Sequence, residues 1–387
     1  MVTVADTKND KKSDFTRRAL LTTVLILGLL GLHELPSHLR RWALGHRMGQ
    51  LVFAMSNNEL SREDVDALVG GYYEGLHPDA VQAGLPGERE DIQFRKDFLR
   101  YELRPNIKRP YQAGMRITNS LGMANPEYAY VKPPHTRRIA LLGDSLSIGP
   151  FGKDYVALLE DRLNQNCRTA DIQSYQVLNF SVYGYSIVQM MDVGLDKAPQ
   201  FQPDAYVVAM TNLETMETEG WRTHVGSLLS SGTDLKYDYL RQVVAEAGVQ
   251  PTNHLIAVRR KLQPYFIPVT RWALEQVRDS ARKQGASMVI LMLPTPINPD
   301  LVGDDFNYLH KAADAVGEPV VDMRTTFRGI NLDDVRVDPV RDIHPNGLGH
   351  TMIADSLFTK LQAQPDAWLA LAGHPCPVGA STAAAKN

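Results

Sequence analysis

Cysteine is scarce: Cys167 and Cys376 are the two in 387 residues, too few and too far apart for a zinc cluster or a disulfide framework. A single disulfide stays open to a chain that is exported. An excess of either sign of charge is lacking too, with 41 Lys and Arg against 44 Asp and Glu. A formal net charge of -3 removes any overall electrostatic case for nucleic acid, and the short basic run Arg259-Arg260-Lys261 reads as a solvated helix face. Long apolar stretches are limited to one, over 19–32, shorter than the roughly 20 residues that span a bilayer. No small-residue A-x-A cleavage site follows it.

What stands around that run gives it a reading. Lys11, Lys12, Arg17 and Arg18 precede it, and His33 to Leu35 extend it to an interface, which is the layout of an uncleaved signal anchor over 1–35. Because the run has no charged face, an amphipathic or core helix fits less well. Arg40, Arg41 and Arg47 on the far side leave the orientation open. The nearby "HELPSH" puts His33 and His38 around Glu34 with one residue too many for a zincin motif and a proline inside, so both imidazoles cannot reach one metal from a helix.

At 387 residues, with 44% hydrophobic and 22% charged side chains, the chain is long enough for about two domains and one sizeable core. From 36 to about 104 the pattern is mostly helical. Ser61 with Asp64 three residues on resembles a capping box before apolar Val65, Leu68 and Val69. A Pro-, Gly- and Asn-rich extended connector then completes 36–134. From 135 to 370 strands and helices alternate. "RRIALLG", "YQVLNFSV", "DAYVVAM", "ASMVILMLP" and "EPVVDM" read as five buried strands, with helices between them and a final helix through "TMIADSLFTKL". Such alternation predicts a parallel sheet with helices on both faces, a three-layer α/β/α sandwich. The tail 371–387 is small and polar and reads as disordered; a bond from its Cys376 to Cys167 would pin it and point to an oxidising compartment.

In open parallel sheets, sites form at the carboxyl ends of the strands. Those ends present Gly143-Asp144-Ser145, Tyr183-Gly184 and Thr211-Asn212, and a late loop, "RDIHPNGLGH", adds Asp342 and His344. A serine hydroxyl becomes a nucleophile when a base takes its proton, and imidazole is the usual base near neutral pH. The imidazole in turn needs a carboxylate to hold its tautomer. Ser145, His344 and Asp342 supply that set. The amide of Ser145, the bare backbone of Gly184 and the side chain of Asn212 offer three donors for an oxyanion, and a helix starting at Ser145 would add its dipole. The rival elbow G-x-S-x-G is absent, since Ser147 stands at its second glycine. Asn179 and Asp322, near strand ends, read as structural, and His350 as a packing residue of the last helix.

"GDSLS", the Gly184 of "NFSVYGYS", the Asn212 of "AMTNLE" and "DIHPN" resemble, in order, the four signature blocks of the SGNH hydrolases, also called GDSL esterases. The resemblance covers about 137–361. It implies a flavodoxin-like sheet, Ser145 as nucleophile, His344 as base, Asp342 as its orienting acid, and Ser145, Gly184 and Asn212 as oxyanion donors. One block departs: Met210-Thr211-Asn212-Leu213 stands where family members carry Gly-x-Asn-Asp. The implied reaction is acyl transfer through an acyl-serine to water or to an alcohol, with no metal or organic cofactor.

The resemblance and the anchor together point to O-acyl groups, such as acetyl, of cell-surface or exported carbohydrate, met by an extracytoplasmic domain. Lipid and thioester substrates, an O-acyltransferase, and a non-catalytic binding protein on the same fold stay open. The stretch 213–263 is expected to overhang the cleft as a substrate-side insertion, where Trp221 and His224 would stack on a sugar. No partner protein is implied.

Overall fold

The computed structural model describes residues 91–111, 114–215, 220–253, 255–293, 295–297, 303–338 and 342–376. The expected anchor, the Ser61 capping box and the end of the tail lie outside them. No helix among the described residues is long and apolar enough to cross a membrane.

Within the stretch read as helical, the described residues form strands instead, whereas the connector after it is extended as read. Strands β1 (Ile92–Phe94) and β2 (Tyr101–Leu103) pair antiparallel, as do β3 (Lys108–Tyr111) and β4 (Gly114–Ile117). Pro105 and Pro110 cannot continue a helix, and Asn106 takes a left-handed conformation at φ 58° that turns the chain between the ribbons. Ile92, Tyr101 and Leu103 then face inward and join the main core.

Five parallel strands form the central sheet: β5 (Thr136–Leu142), β6 (Ser174–Asn179), β7 (Ala205–Thr211), β8 (Ser287–Leu293) and β9 (Val320–Asp322). Their order across the sheet is β6-β5-β7-β8-β9. The five strands expected from sequence are these five. β7 is buried along its whole length, because helices cover both faces and every position must be apolar or satisfied. Ala140, Leu142, Val208 and Met210 face one core with α2 (Ile187–Asp196) and α6 (Phe266–Lys283). Their chain neighbours Ile139, Leu141, Val207 and Ala209 face a second core with α1 (Tyr155–Asn166), α9 (Gly347–Gln362) and α10 (Pro365–Ala372).

Between β7 and α6 lie α3 (Gly220–Ser230), α4 (Asp238–Glu246) and α5 (Leu255–Leu262). Here the basic run is split: Arg260 and Lys261 are exposed, but Arg259 is buried and its Nε donates to Thr223 Oγ1 at 2.9 Å. After β8 come α7 (Gly303–Ala313), the one-turn α8 (Leu332–Val335) and a small hairpin of β10 (Arg336–Asp338) and β11 (Asp342–Pro345). The start of the tail is ordered, contrary to the reading of 371–387 as disordered. Leu371 and Ala372 are buried, and Cys376 is bonded to Cys167 at the C-terminus of α1.

Candidate active site

The chain steps from β5 out to β6 and then back past β5 to β7, so the topological switch point lies between the carboxyl ends of β5 and β7. In open parallel sheets this is the point where a ligand crevice forms. Asp144 and Ser145 follow β5; Thr211 ends β7 and Asn212 follows it. Thr211 Oγ1 donates to Asp144 Oδ2 at 2.6 Å, tying the two ends together, while Asp144 Oδ1 accepts from Leu146 N at 2.9 Å. Burial holds the Asp144 carboxyl above the usual range, and these two donors work against that shift.

Ser145 opens a three-residue 3-10 turn, Ser145–Ser147, capped by Asp144. The helix expected to begin here starts only at Tyr155, so the dipole of a long helix does not stand behind the serine. Packing explains the residue before the aspartate. A Cβ on Gly143 would lie 2.7 Å from Ser147 Oγ and 2.8 Å from Ser181 Oγ, which only glycine avoids. Asn179 is structural, as read: its Nδ2 donates to Ser147 O at 2.8 Å, holding the turn from β6.

Hairpin β10–β11 brings the D-x-H pair to this turn. His344 Nε2 lies 2.8 Å from Ser145 Oγ, and His344 Nδ1 lies 2.6 Å from Asp342 Oδ1. The same Asp342 oxygen accepts from His344 N at 3.0 Å, which orients the carboxylate from both the ring and the backbone of one residue. The serine is buried, whereas the imidazole and carboxylate side chains keep 34% and 39% of their exposure. The three residues thus form a continuous hydrogen-bonded relay from a buried hydroxyl to a partly solvated acid. Proton transfer from Oγ to Nε2, with the Nδ1 proton held by the carboxylate, is what this arrangement can do.

Three donors have no acceptor among the described residues: the backbone N–H of Ser145, that of Gly184, and Nδ2 of Asn212. Gly184 sits at φ +65° in the turn that follows β6, a left-handed conformation that favours glycine. Asn212 Oδ1 is occupied by Thr295, through Oγ1 at 2.8 Å and N at 3.3 Å.

Two expected sugar contacts are not brought to the crevice. Trp221 and His224 are 1% and 4% exposed within α3, and His224 packs edge-on to Phe98 at 5.2 Å. Burial also lowers the His224 pKa to about 3, as it does for His350, which packs from α9 against Tyr155. Asp322 accepts from Arg324 and lies 3.1 Å from His310, away from the relay. Three residues went unseen in the sequence. Thr295 follows the fourth strand, and inspecting that strand's carboxyl end would have found it. Arg336, whose Nε donates to Pro296 O at 2.7 Å, steadies the hairpin, and Glu214 accepts from the N–H groups that open α2 and α3. Nothing in the local sequence marks those two.

No protein-family model and no curated protein matches this chain. Among solved structures, TesA is 16% identical at a TM-score of 0.37, over 59% of this chain and 99% of its own. The acetyl xylan esterase AlAXEase is 16% identical at 0.36, over 57% and 98%. Axe2, an acetylxylan esterase from Geobacillus stearothermophilus, is 13% identical at 0.38, over 58% and 93%. At these scores the alignments carry no correspondence between individual residues.

Proposed function

We propose that this chain is a serine hydrolase of the SGNH type that cleaves carboxylic esters. The observation that carries the reading is the relay from Asp342 through His344 to Ser145, with contacts of 2.6 and 2.8 Å, at the switch point of a parallel sheet. Ser145 Oγ attacks the ester carbonyl as His344 Nε2 takes its proton, and Asp342 steadies the imidazolium that forms. The oxyanion is received by the N–H groups of Ser145 and Gly184 and by Asn212 Nδ2, each worth about 3 kcal/mol when well aimed. His344 then returns the proton to the leaving alcohol. Water, activated by the same imidazole, releases the acyl group from Ser145.

For the substrate we propose O-acyl groups, acetyl foremost, on exported or cell-surface carbohydrate. Two features support an extracytoplasmic setting: the basic and apolar layout of 1–35, and the Cys167–Cys376 disulfide, which a reducing cytosol would not maintain. The membrane would then be the partner of the N-terminal segment.

Hydrolysis of 4-nitrophenyl acetate, butyrate and octanoate by the full chain tests the reading, beside Ser145→Ala and His344→Ala. Each substitution is expected to lower kcat by about a thousandfold or more, and Ser145→Ala to abolish labelling by a fluorophosphonate. Wild-type protein that neither turns over an ester nor takes the label would favour the binding-protein alternative. Labelling without hydrolysis would point instead to transfer onto an alcohol acceptor.

A further inference from the structure

We infer that Thr295 is the positioning residue that aims the side chain of Asn212 at the reacting oxygen; the inference rests on the esterase reading of this site. A carboxamide has two nearly isosteric ends, and its terminal torsion is broad, so an asparagine can present an acceptor as readily as a donor. An oxyanion site tolerates only the donor. The orientation must therefore be imposed by something that cannot itself accept.

Thr295 N–H meets that requirement. A backbone N–H only donates, so the Asn212 atom 3.3 Å from it is the oxygen, and the Thr295 hydroxyl adds a second donor to the same Oδ1 at 2.8 Å. With Oδ1 held twice, Nδ2 is left as the end without an acceptor among the described residues. Both residues are 1% exposed, so an Oδ1 that lost these donors would be a poorly hydrated acceptor.

Sheet register explains why this residue reaches Asn212. β7 and β8 run parallel with Thr211 opposite Leu293, so the segment leaving β8 passes beside the residue leaving β7. The next carbonyl, Pro296 O, accepts from Arg336 Nε at 2.7 Å, and Arg336 pairs with Pro345 beside His344. The Thr295-Pro296 segment is thus held from one side by the hairpin of the base while it holds the oxyanion donor on the other.

The test compares kcat and KM for 4-nitrophenyl acetate in full-length wild type, Thr295→Val, Thr295→Ser, Asn212→Ala and the Thr295→Val/Asn212→Ala double variant, with Ser145→Ala as reference. Thr295→Val keeps the N–H and loses the hydroxyl, so kcat is expected to fall by about tenfold to a hundredfold, less than for Asn212→Ala, with KM within about twofold. Thr295→Ser should restore most of the loss. In the Asn212→Ala background Thr295→Val should change nothing further, because its only route is through that amide. Should Thr295→Val fail to fold, Thr295→Ala removes the same hydroxyl without placing a methyl against the carboxamide. Unchanged kcat in Thr295→Val, or losses that multiply in the double variant, would overturn the inference and leave the esterase reading standing. Wild type no better than Ser145→Ala would remove both.

Discussion

Thr211 Oγ1 and Asp144 Oδ2 meet at 2.6 Å across the gap between β7 and β5, in a place from which water is excluded. The carboxyl of Asp144 also caps the turn that presents Ser145, so the hydroxyl of one strand fixes the serine of another. Thr211→Val preserves shape and removes the donor. It is expected to cost about 1–3 kcal/mol of stability, the penalty for a buried acceptor left short of a partner, and to lower kcat. Urea unfolding beside ester kinetics checks both; unchanged stability would mean that Leu146 N satisfies Asp144 alone.

Gly143→Ala places a methyl where Ser147 Oγ and Ser181 Oγ lie 2.7 and 2.8 Å from the new carbon. Overpacking of this kind costs about 1–3 kcal/mol, and the strain falls on the turn that carries Ser145. The expected outcome is a lower melting temperature together with slower fluorophosphonate labelling of Ser145. A variant that melts lower but labels at the wild-type rate would show that the strain dissipates away from the turn.

Two buried groups set opposing pH dependences. Burial raises the Glu214 carboxyl from 4.5 to about 7, so the folded chain holds a proton that the unfolded chain has released. Its contribution is therefore full below pH 4.5 and is lost as pH rises towards 7. His350 is lowered from 6.5 to about 3 by burial, so its contribution is full above pH 6.5 and is lost as pH falls towards 3. Melting temperatures across pH 4.5 to 7 separate them. The gap between wild type and Glu214→Gln should widen as pH falls, and the gap to His350→Gln should narrow. Gaps that stay level would deny these shifts.

The Cys167–Cys376 bond joins positions 209 residues apart, close to where Tyr175 and His374 contact the carbonyl of Cys167. Removing a native crosslink of this kind costs about 2–5 kcal/mol. Reduction, or Cys376→Ser, should lower the melting temperature while leaving ester turnover at moderate temperature near wild type, since neither cysteine touches the relay. Lost activity at constant stability would contradict that separation.

Much of the architecture was legible before any coordinate. The five strands are continuous apolar runs, and the helices between them repeat at helical spacing, because burial on both faces of a parallel sheet leaves that local imprint. The errors occurred where local pattern and tertiary setting disagree. Tyr101 and Leu103 looked helical but face the core from a ribbon that ends just before Pro105. Trp221 and His224 belonged to a stretch expected over the cleft, yet α3 turns that side into the core.

Residue type and chain order alone established that a serine, an imidazole, a carboxylate and three potential donors follow strand ends, since strand ends are marked by where apolar runs stop. Their mutual geometry was decided elsewhere. Ser145 and His344 are 199 residues apart, Asn212 and Thr295 are 83, and Asp144 and Thr211 are 67. Each pair meets only because strand order and parallel register bring separate carboxyl edges to one crevice. Which end of Asn212 is held is decided by the single N–H and hydroxyl of Thr295, a property of three-dimensional packing that no local pattern encodes.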